Sequence, residues 1–359
     1  MPKIKKRADG RYAVTATING KRKYFYGRTK AEAQEKCEEY CRRAPLCPRY
    51  DENLTLSDWA DKWLQLKEGT IADTSLASYT WLCKQYVIPY LGSFKLSELT
   101  PLSVHGLIKQ MDGLSSRTVN YVLTILSAML KTAVQYQYIT VNVVPMVKRP
   151  KRDKRHQMIT LSREQVQEFL LAIPLPETRM LFSLAFTTGL RRSELLGLRW
   201  SDIDFKRKIL SVAQTVILIN GTYTISETTK NSASRRSISL DDKSIAELKK
   251  HRLIVQKRML STYGWVNRDL VFPGKQGGPR DPKAVSRACK KYASKIGVPE
   301  FTMHGTRHTH ATLLIEAGVN FKIIQMRLGH SSYVETMNTY SHITPLMEAD
   351  VVDKISKIF

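Results

Sequence analysis

The chain has 359 residues, with 57 lysines and arginines against 32 aspartates and glutamates, for a formal net charge of +25. That length calls for two or three domains, and so basic a surface implies a polyanionic partner, most often nucleic acid. No apolar run approaches the roughly 20 residues of a membrane span, and MPKIKKRADG lacks the apolar stretch of a signal peptide. The five cysteines form no CxxC pair, and Cys37 and Cys41 have no second pair to complete a zinc site, so reduced thiols in a cytoplasmic setting are expected.

Residues 1–48 carry two hairpin signals, Asp9-Gly10 and Asn19-Gly20, whose residue types favour the positive φ angles of tight turns. Between them Tyr12, Val14, Ala16 and Ile18 share one strand face. Thr29 and Glu32 form a capping box that opens a helix to about Tyr40. The result is a small three-stranded sheet plus one helix, studded with Lys5, Lys6, Arg7, Arg11, Lys21, Arg22 and Lys23. Such a sheet is either a solvated basic surface or one whose polar face enters a DNA groove, and the charge density favours the second.

Residues 49–147 read as helical. Trp59, Trp63 and Leu66 repeat at helical spacing, as do Tyr79, Cys83, Tyr86 and Val87. Pro89 and Gly92 are expected to break the second helix, and Pro101 opens a third to about Met111. A fourth follows Gly113, with Val119, Val122, Leu123, Ile125, Leu126, Met129 and Leu130 as a core stripe. Residues 148–157 begin KRPKRDKR, a basic linker containing Lys148, Arg149, Lys151, Arg152, Lys154 and Arg155. Such a run is either solvated or laid along phosphates, where it would add salt-dependent affinity without sequence preference.

Residues 158–359 read as mainly α with a small antiparallel sheet. Ser162 and Gln165 form another capping box, with helices at about 162–173 and 179–188. Strands follow over Ile209–Val216, Tyr223–Thr229 and Ser237–Leu240, with a turn at Asn220-Gly221, and helices run to the end. The fold class is thus a multidomain α+β protein.

Four segments of this last region carry chemistry: TTGLRRSELLGLRW at 187–200, TTKNSASRRSISL at 228–240, HGTRHTHATLL at 304–314 and LGHSSYVETMNTYSH at 328–342. Each alone is weak. Together they give the ordered set Arg191, Lys230, His304, Arg307, His330 and Tyr340, which resembles the catalytic set of the tyrosine recombinases, the integrases of phages and conjugative transposons. The resemblance covers residues 55–359 well. Residues 1–48 more loosely resemble an arm-type DNA-binding module, and 49–147 fit the family's core-binding domain.

The resemblance implies DNA cleavage through a phosphotyrosine, with no metal and no cofactor. Arg191 and Arg307 would clamp the phosphate oxygens, since guanidinium groups present paired donors and stay charged. Arg192 is the rival to Arg191, but the family pattern places the catalytic arginine directly after Gly-Leu. Tyr340 would be the nucleophile, His304 its base, His330 a donor to the phosphate, and Lys230 the general acid for the 5′-oxygen. Glu194 either orients Arg191 or makes an ordinary helix-cap ion pair. His308, His310 and His342 are expected to be packing or surface residues. A zinc site at His304 and His308 ranks low, because the Glu of HExxH is absent.

The implied partners are double-stranded DNA at core-type and arm-type sites, a homotetramer on paired sites from a monomer off DNA, and an excisionase or host bending protein. The family's tail docks on a neighbouring protomer, and Val351, Val352, Ile355 and Phe359 near helical spacing would suit either that or cover in cis. Two other readings stay open on the sequence alone: a non-catalytic DNA-binding regulator on the same scaffold, and a DNA relaxase of the type IB topoisomerase kind.

Overall fold

The computed structural model describes residues 5–7, 9–18, 21–43, 53–151, 158–219, 221–226 and 235–329. The chain divides into two compact units, Met1–Arg155 and His156–Phe359. The fold is mixed α+β and mostly helical, with small antiparallel sheets. Among the described residues, no helix is long and apolar enough to cross a membrane.

In the first unit β1 (Lys5–Lys6), β2 (Tyr12–Ile18) and β3 (Lys21–Gly27) form an antiparallel sheet in that order, followed by α1 (Lys30–Arg43). Gly10 takes φ +79° and closes the first turn by donating its N–H to the Arg7 carbonyl at 3.0 Å. Ile18 pairs with Lys21 across the second hairpin, whose turn residues Asn19 and Gly20 lie outside the described residues. The Thr29 hydroxyl accepts the Glu32 N–H at 3.1 Å and so starts α1. Val14, Ala33 and Cys37 form the small core, with Tyr12 and Phe25 packed against it.

The helical part comprises α2 (Leu56–Lys67), α3 (Asp73–Leu82), α4 (Ile88–Leu91), α5 (Pro101–Gln110) and α6 (Ser116–Gln135). All seven residues of the expected α6 stripe are buried. Trp59 and Trp63 pack on it, and their indole N–H groups donate to the Met129 carbonyl and the Thr132 hydroxyl, each at 3.1 Å. Leu66 departs from the sequence reading, since it stays 44% exposed. Pro89 does not break the helix either. A π-helical stretch, Cys83–Val87, precedes it, and Pro89 then falls in the first turn of α4, where its missing N–H loses nothing. The basic run starts against α6. Arg149 donates to the Thr124 hydroxyl at 3.0 Å and Asn120 donates to the Pro150 carbonyl at 3.0 Å, so its first residues lie on α6.

The second unit contains α7 (Arg163–Leu171), α8 (Pro176–Thr188) and α9 (Arg192–Gly197), then β4 (Ile203–Asp204), β5 (Ile209–Val212), β6 (Thr215–Ile219), β7 (Thr222–Ser226) and β8 (Arg236–Ser239). Four helices follow: α10 (Asp242–Ser261), α11 (Pro282–Lys295), α12 (Met303–Glu316) and α13 (Phe321–Leu328). The Ser162–Gln165 capping box is present. The sequence predicts one small sheet; the described strands form two, β4-β5-β8 and β6-β7. The run that reads as a single strand over 209–216 splits at Gln214. That side chain is buried and donates to the Gly197 carbonyl at 2.6 Å, turning the chain out of one sheet and into the other.

The core of this unit centres on Phe169, fully buried among Phe182, Phe186, Tyr292 and Phe301 at ring-centroid distances of 5.2 to 6.4 Å. These rings join α7, α8 and α11 to the segment leading into α12. Phe169→Ala should therefore destabilise this unit by about 3–5 kcal/mol. Calorimetry should show its transition moving to lower temperature while that of the first unit stays in place. An unshifted transition would mean that the ring cluster does not hold these helices together.

Candidate active site

Three chain turns converge on the C-terminal end of α13. Helix α8 ends at Gly189, which adopts φ +65° as a left-handed cap, and α13 ends at Gly329 in the same way with φ +66°. A β-carbon on Gly189 would also lie 2.6 Å from His310 Cδ2, so glycine is required there by contact as well as by φ. The third turn starts α9, with Arg191 as its N-cap.

The last carbonyls of a helix lack intrahelical partners and carry the negative end of its dipole. In α13 arginines from three other elements supply the donors. Arg236 on β8 donates through Nε to the Arg327 carbonyl at 2.7 Å. Arg307 on α12 donates through Nη2 to the Leu328 carbonyl at 2.7 Å. Arg191 donates through Nη2 to the Gly329 carbonyl at 3.1 Å. Arg307 also donates to the Gly189 carbonyl at 2.9 Å and is 2% exposed.

Glu194 binds two of these arginines together. Its oxygens accept from Arg191 Nη1 at 2.8 Å and from the Arg191 backbone N–H at 2.9 Å. They also accept both terminal nitrogens of Arg236, at 2.8 and 3.1 Å. The Glu194 and Arg236 side chains are only 3% and 5% exposed, while Arg191 is 36% exposed. Burial pushes the Glu194 carboxyl up, but the hydrogen bonds and charge of Arg236, then those of Arg191, outweigh it and hold the carboxyl below its ordinary value.

Arg191 and His304 line one cavity of about 280 Å³ with Arg192, Ser286 and Thr302. His304 stands in the first turn of α12, three residues before Arg307. Partial desolvation, then the charges of Arg307 and Arg191, keep its pKa below the usual value, so the imidazole is neutral and can accept a proton. Its ring meets that of His308 edge to face at 4.5 Å. Arg192 donates to the Ser286 hydroxyl at 2.6 Å on the same cavity wall.

The structure therefore brings Arg191, Glu194, His304 and Arg307 together. Lys230 falls in the segment between β7 and β8, and it lies outside the described residues, as do His330 and Tyr340. Of the expected DNA-contacting residues, Lys21, Arg22 and Lys23 sit on β3 opposite Ile18, Thr17 and Ala16. Lys148 and Lys151 are exposed, and Arg152, Lys154 and Arg155 lie outside the described residues.

Three residues of the site, Arg236, Arg327 and His310, are not singled out by the sequence motifs. Arg236 shares strand parity with buried Ile238, a signal that it points inward. His310, expected as mere packing, is a bridge. Its Nδ1 donates to the Phe186 carbonyl at 2.7 Å, and its Nε2 accepts from Arg327 Nε at 3.2 Å. Arg327 further donates to the Thr187 and Ser239 carbonyls at 3.0 and 3.2 Å.

Residues 160–346 match the phage integrase family, and residues 55–111 match the phage integrase N-terminal SAM-like domain. A tyrosine recombinase XerC-like protein of Caldanaerobacter subterraneus subsp. tengcongensis is 31% identical, over 97% of this chain and 96% of that one. Among solved structures, the Tn1549 transposon integrase in complex with a circular intermediate DNA gives a TM-score of 0.70 at 22% identity, over 84% of this chain and 99% of that one. A lambda integrase tetramer bound to a Holliday junction gives 0.62 at 19% identity, over 94% of each chain.

The bridge at His310 requires a neutral ring. Burial, then the Arg327 charge, draws its pKa from 6.5 down to about 4. An unfolded chain binds the proton throughout that window, so stability is complete above pH 6.5 and is lost as pH falls toward 4. The displacement corresponds to about 3 kcal/mol. His308, also held at about 4, adds to the same trend. Urea unfolding of the full chain across this range should show a falling free energy, with a shallower acid slope in His310→Asn. An identical slope in both proteins would assign the acid sensitivity to other groups.

Proposed function

The chain belongs to the phage integrase family and is a tyrosine-type site-specific DNA recombinase, an integrase; from that premise we propose that it serves a mobile genetic element, cutting and rejoining double-stranded DNA through a 3′-phosphotyrosine bond for integration and excision. One observation carries this assignment to particular residues. Arg191 and Arg307, from separate elements, are held on adjacent carbonyls of α13, and Arg191 shares a cavity with His304.

In this reading a phosphodiester enters the cavity, and Arg191 and Arg307 supply the positive field for its pentacoordinate transition state. Fixed charge of this kind contributes more to such a reaction than any other single effect. Tyr340 Oη attacks phosphorus as its proton passes to His304. The bond from phosphorus to the 5′-oxygen breaks, and Lys230 protonates that oxygen. His330 donates to a non-bridging oxygen. Rejoining is the reverse, with a 5′-hydroxyl of the partner strand displacing the tyrosine. One phosphodiester is exchanged for another, so the scheme needs no metal or nucleotide.

The N-terminal sheet, with Lys21, Arg22 and Lys23, serves arm-type sites. The helical part serves core-type sites, and the basic run from Lys148 to Arg155 follows phosphates between it and the domain that carries Arg191. The working assembly is a homotetramer on paired sites, formed from a monomer and aided by an excisionase or host bending protein in the cytoplasm. The lambda integrase likeness and the apolar spacing of the tail support this assembly.

Tyr340→Phe should bind target DNA and form no covalent complex. A nicked suicide duplex built from the element's ends, resolved on denaturing gels, decides this; an adduct in the mutant would sink the nucleophile assignment. Lys230→Ala should stall on the normal substrate but cleave a 5′-phosphorothiolate, whose sulfur leaves without a proton. Failure of that rescue would move Lys230 from proton donor to a binding role.

A further inference from the structure

We propose that Arg236 is a positioning residue for strand cleavage: by occupying Glu194 from behind, it leaves Arg191 charged and aimed into the cavity. The inference rests on Arg191 as a phosphate ligand.

A carboxylate offers about four acceptor positions, and in Glu194 four donors fill them, two from each arginine. Arg236 takes one position on each oxygen, in the forked geometry of a guanidinium–carboxylate pair. Arg191 is therefore limited to one side-chain bond with Glu194 and directs Nη2 to the Gly329 carbonyl. With two guanidinium groups on one carboxylate, the trio keeps one net positive charge, and the exposed member is Arg191.

Removal of Arg236 would change both conditions. The carboxylate, only 3% exposed, would be left with two empty acceptor positions, and a buried unmet charge is costly. The more exposed cation within reach is Arg191, which would swing into a forked pair with Glu194 and be neutralised there. The same loss would free the Arg327 carbonyl, one residue before the carbonyl that holds Arg307. Arg236 thus fixes the carboxylate and the helix end together, without touching the cavity itself: its side chain is 5% exposed and does not line it.

The test uses full-length wild type, Arg236→Met and Arg236→Lys. Lysine supplies the cation but not the fork, so it should recover part of what methionine loses. Single-turnover adduct formation on the nicked suicide duplex should fall about 100-fold in Arg236→Met, as expected for a misplaced catalytic group. DNA affinity by gel shift should change less than about 3-fold, because the loss falls on the transition state. Without DNA, the guanidinium ¹⁵N resonances of Arg191, assigned through Arg191→Lys, should move in Arg236→Met and return toward wild type in Arg236→Lys. Arg191 resonances that stay unmoved in both variants would overturn the proposal, as would equal losses of affinity and rate. If Arg236→Met does not fold, the lysine variant carries both measurements. Should wild type itself form no adduct, the recombinase roles fail, and the resonance shifts still decide whether Arg236 positions Arg191.

Discussion

The site is organised by one buried carboxylate. Without Glu194, Arg191 and Arg236 would be two like charges pressed together at a helix end. With it, each is a partner to the other, and both can reach the carbonyls of α13. Removing one member of such a buried pair costs about 3–5 kcal/mol. That cost ties α9, β8 and α13 into a single unit, because each contributes a member whose place depends on the other two.

The same arrangement leaves a charge excess. Three arginines meet one carboxylate and the end of one helix dipole, which is worth about half a charge. The remainder is positive and fixed before any anion arrives. An anion entering the cavity would meet Arg191 already held in place, the condition under which electrostatic stabilisation works best. The excess acts on the histidines as well. It adds to desolvation in keeping His304 neutral, and it helps hold His308 and His310 far below their usual range. The lowered pKa of His304 and the positive charge of the site thus share a source.

How far the sequence foretells this depends on the range of the contacts involved. The α6 stripe and the Ser162 capping box follow from local spacing, and the structure repeats them. The meeting of Arg191, His304 and Arg307 is legible through the ordered motifs. Gln214 is not legible, because only its buried bond to Gly197, seventeen residues away, splits the strand in two. Pro89 misleads because a π-helical stretch precedes it and leaves it in the first turn of α4. Arg236 stands within the 228–240 motif, yet nothing local distinguishes it: its partners, Glu194 and Arg327, are 42 and 91 residues away. Alternation along β8 marks it as inward, but an inward arginine acquires meaning only once its carboxylate is known.

The two left-handed glycines explain why such distant partners can meet. Gly189 and Gly329 each end a helix by turning a carbonyl outward, and each carbonyl accepts an arginine, Arg307 for the first and Arg191 for the second. At Gly189 a β-carbon would strike His310 and Leu328, so α8, α12 and α13 touch at a point where no side chain fits. His310 then fastens the contact, joining the end of α8 to Arg327. Backbone, glycine and buried polar groups therefore determine where α13 stops. Everything that follows Gly329, including His330 and Tyr340, starts from a carbonyl already bound to Arg191. The end of α13 and the guanidinium of Arg191 consequently share one anchor, the Gly329 carbonyl.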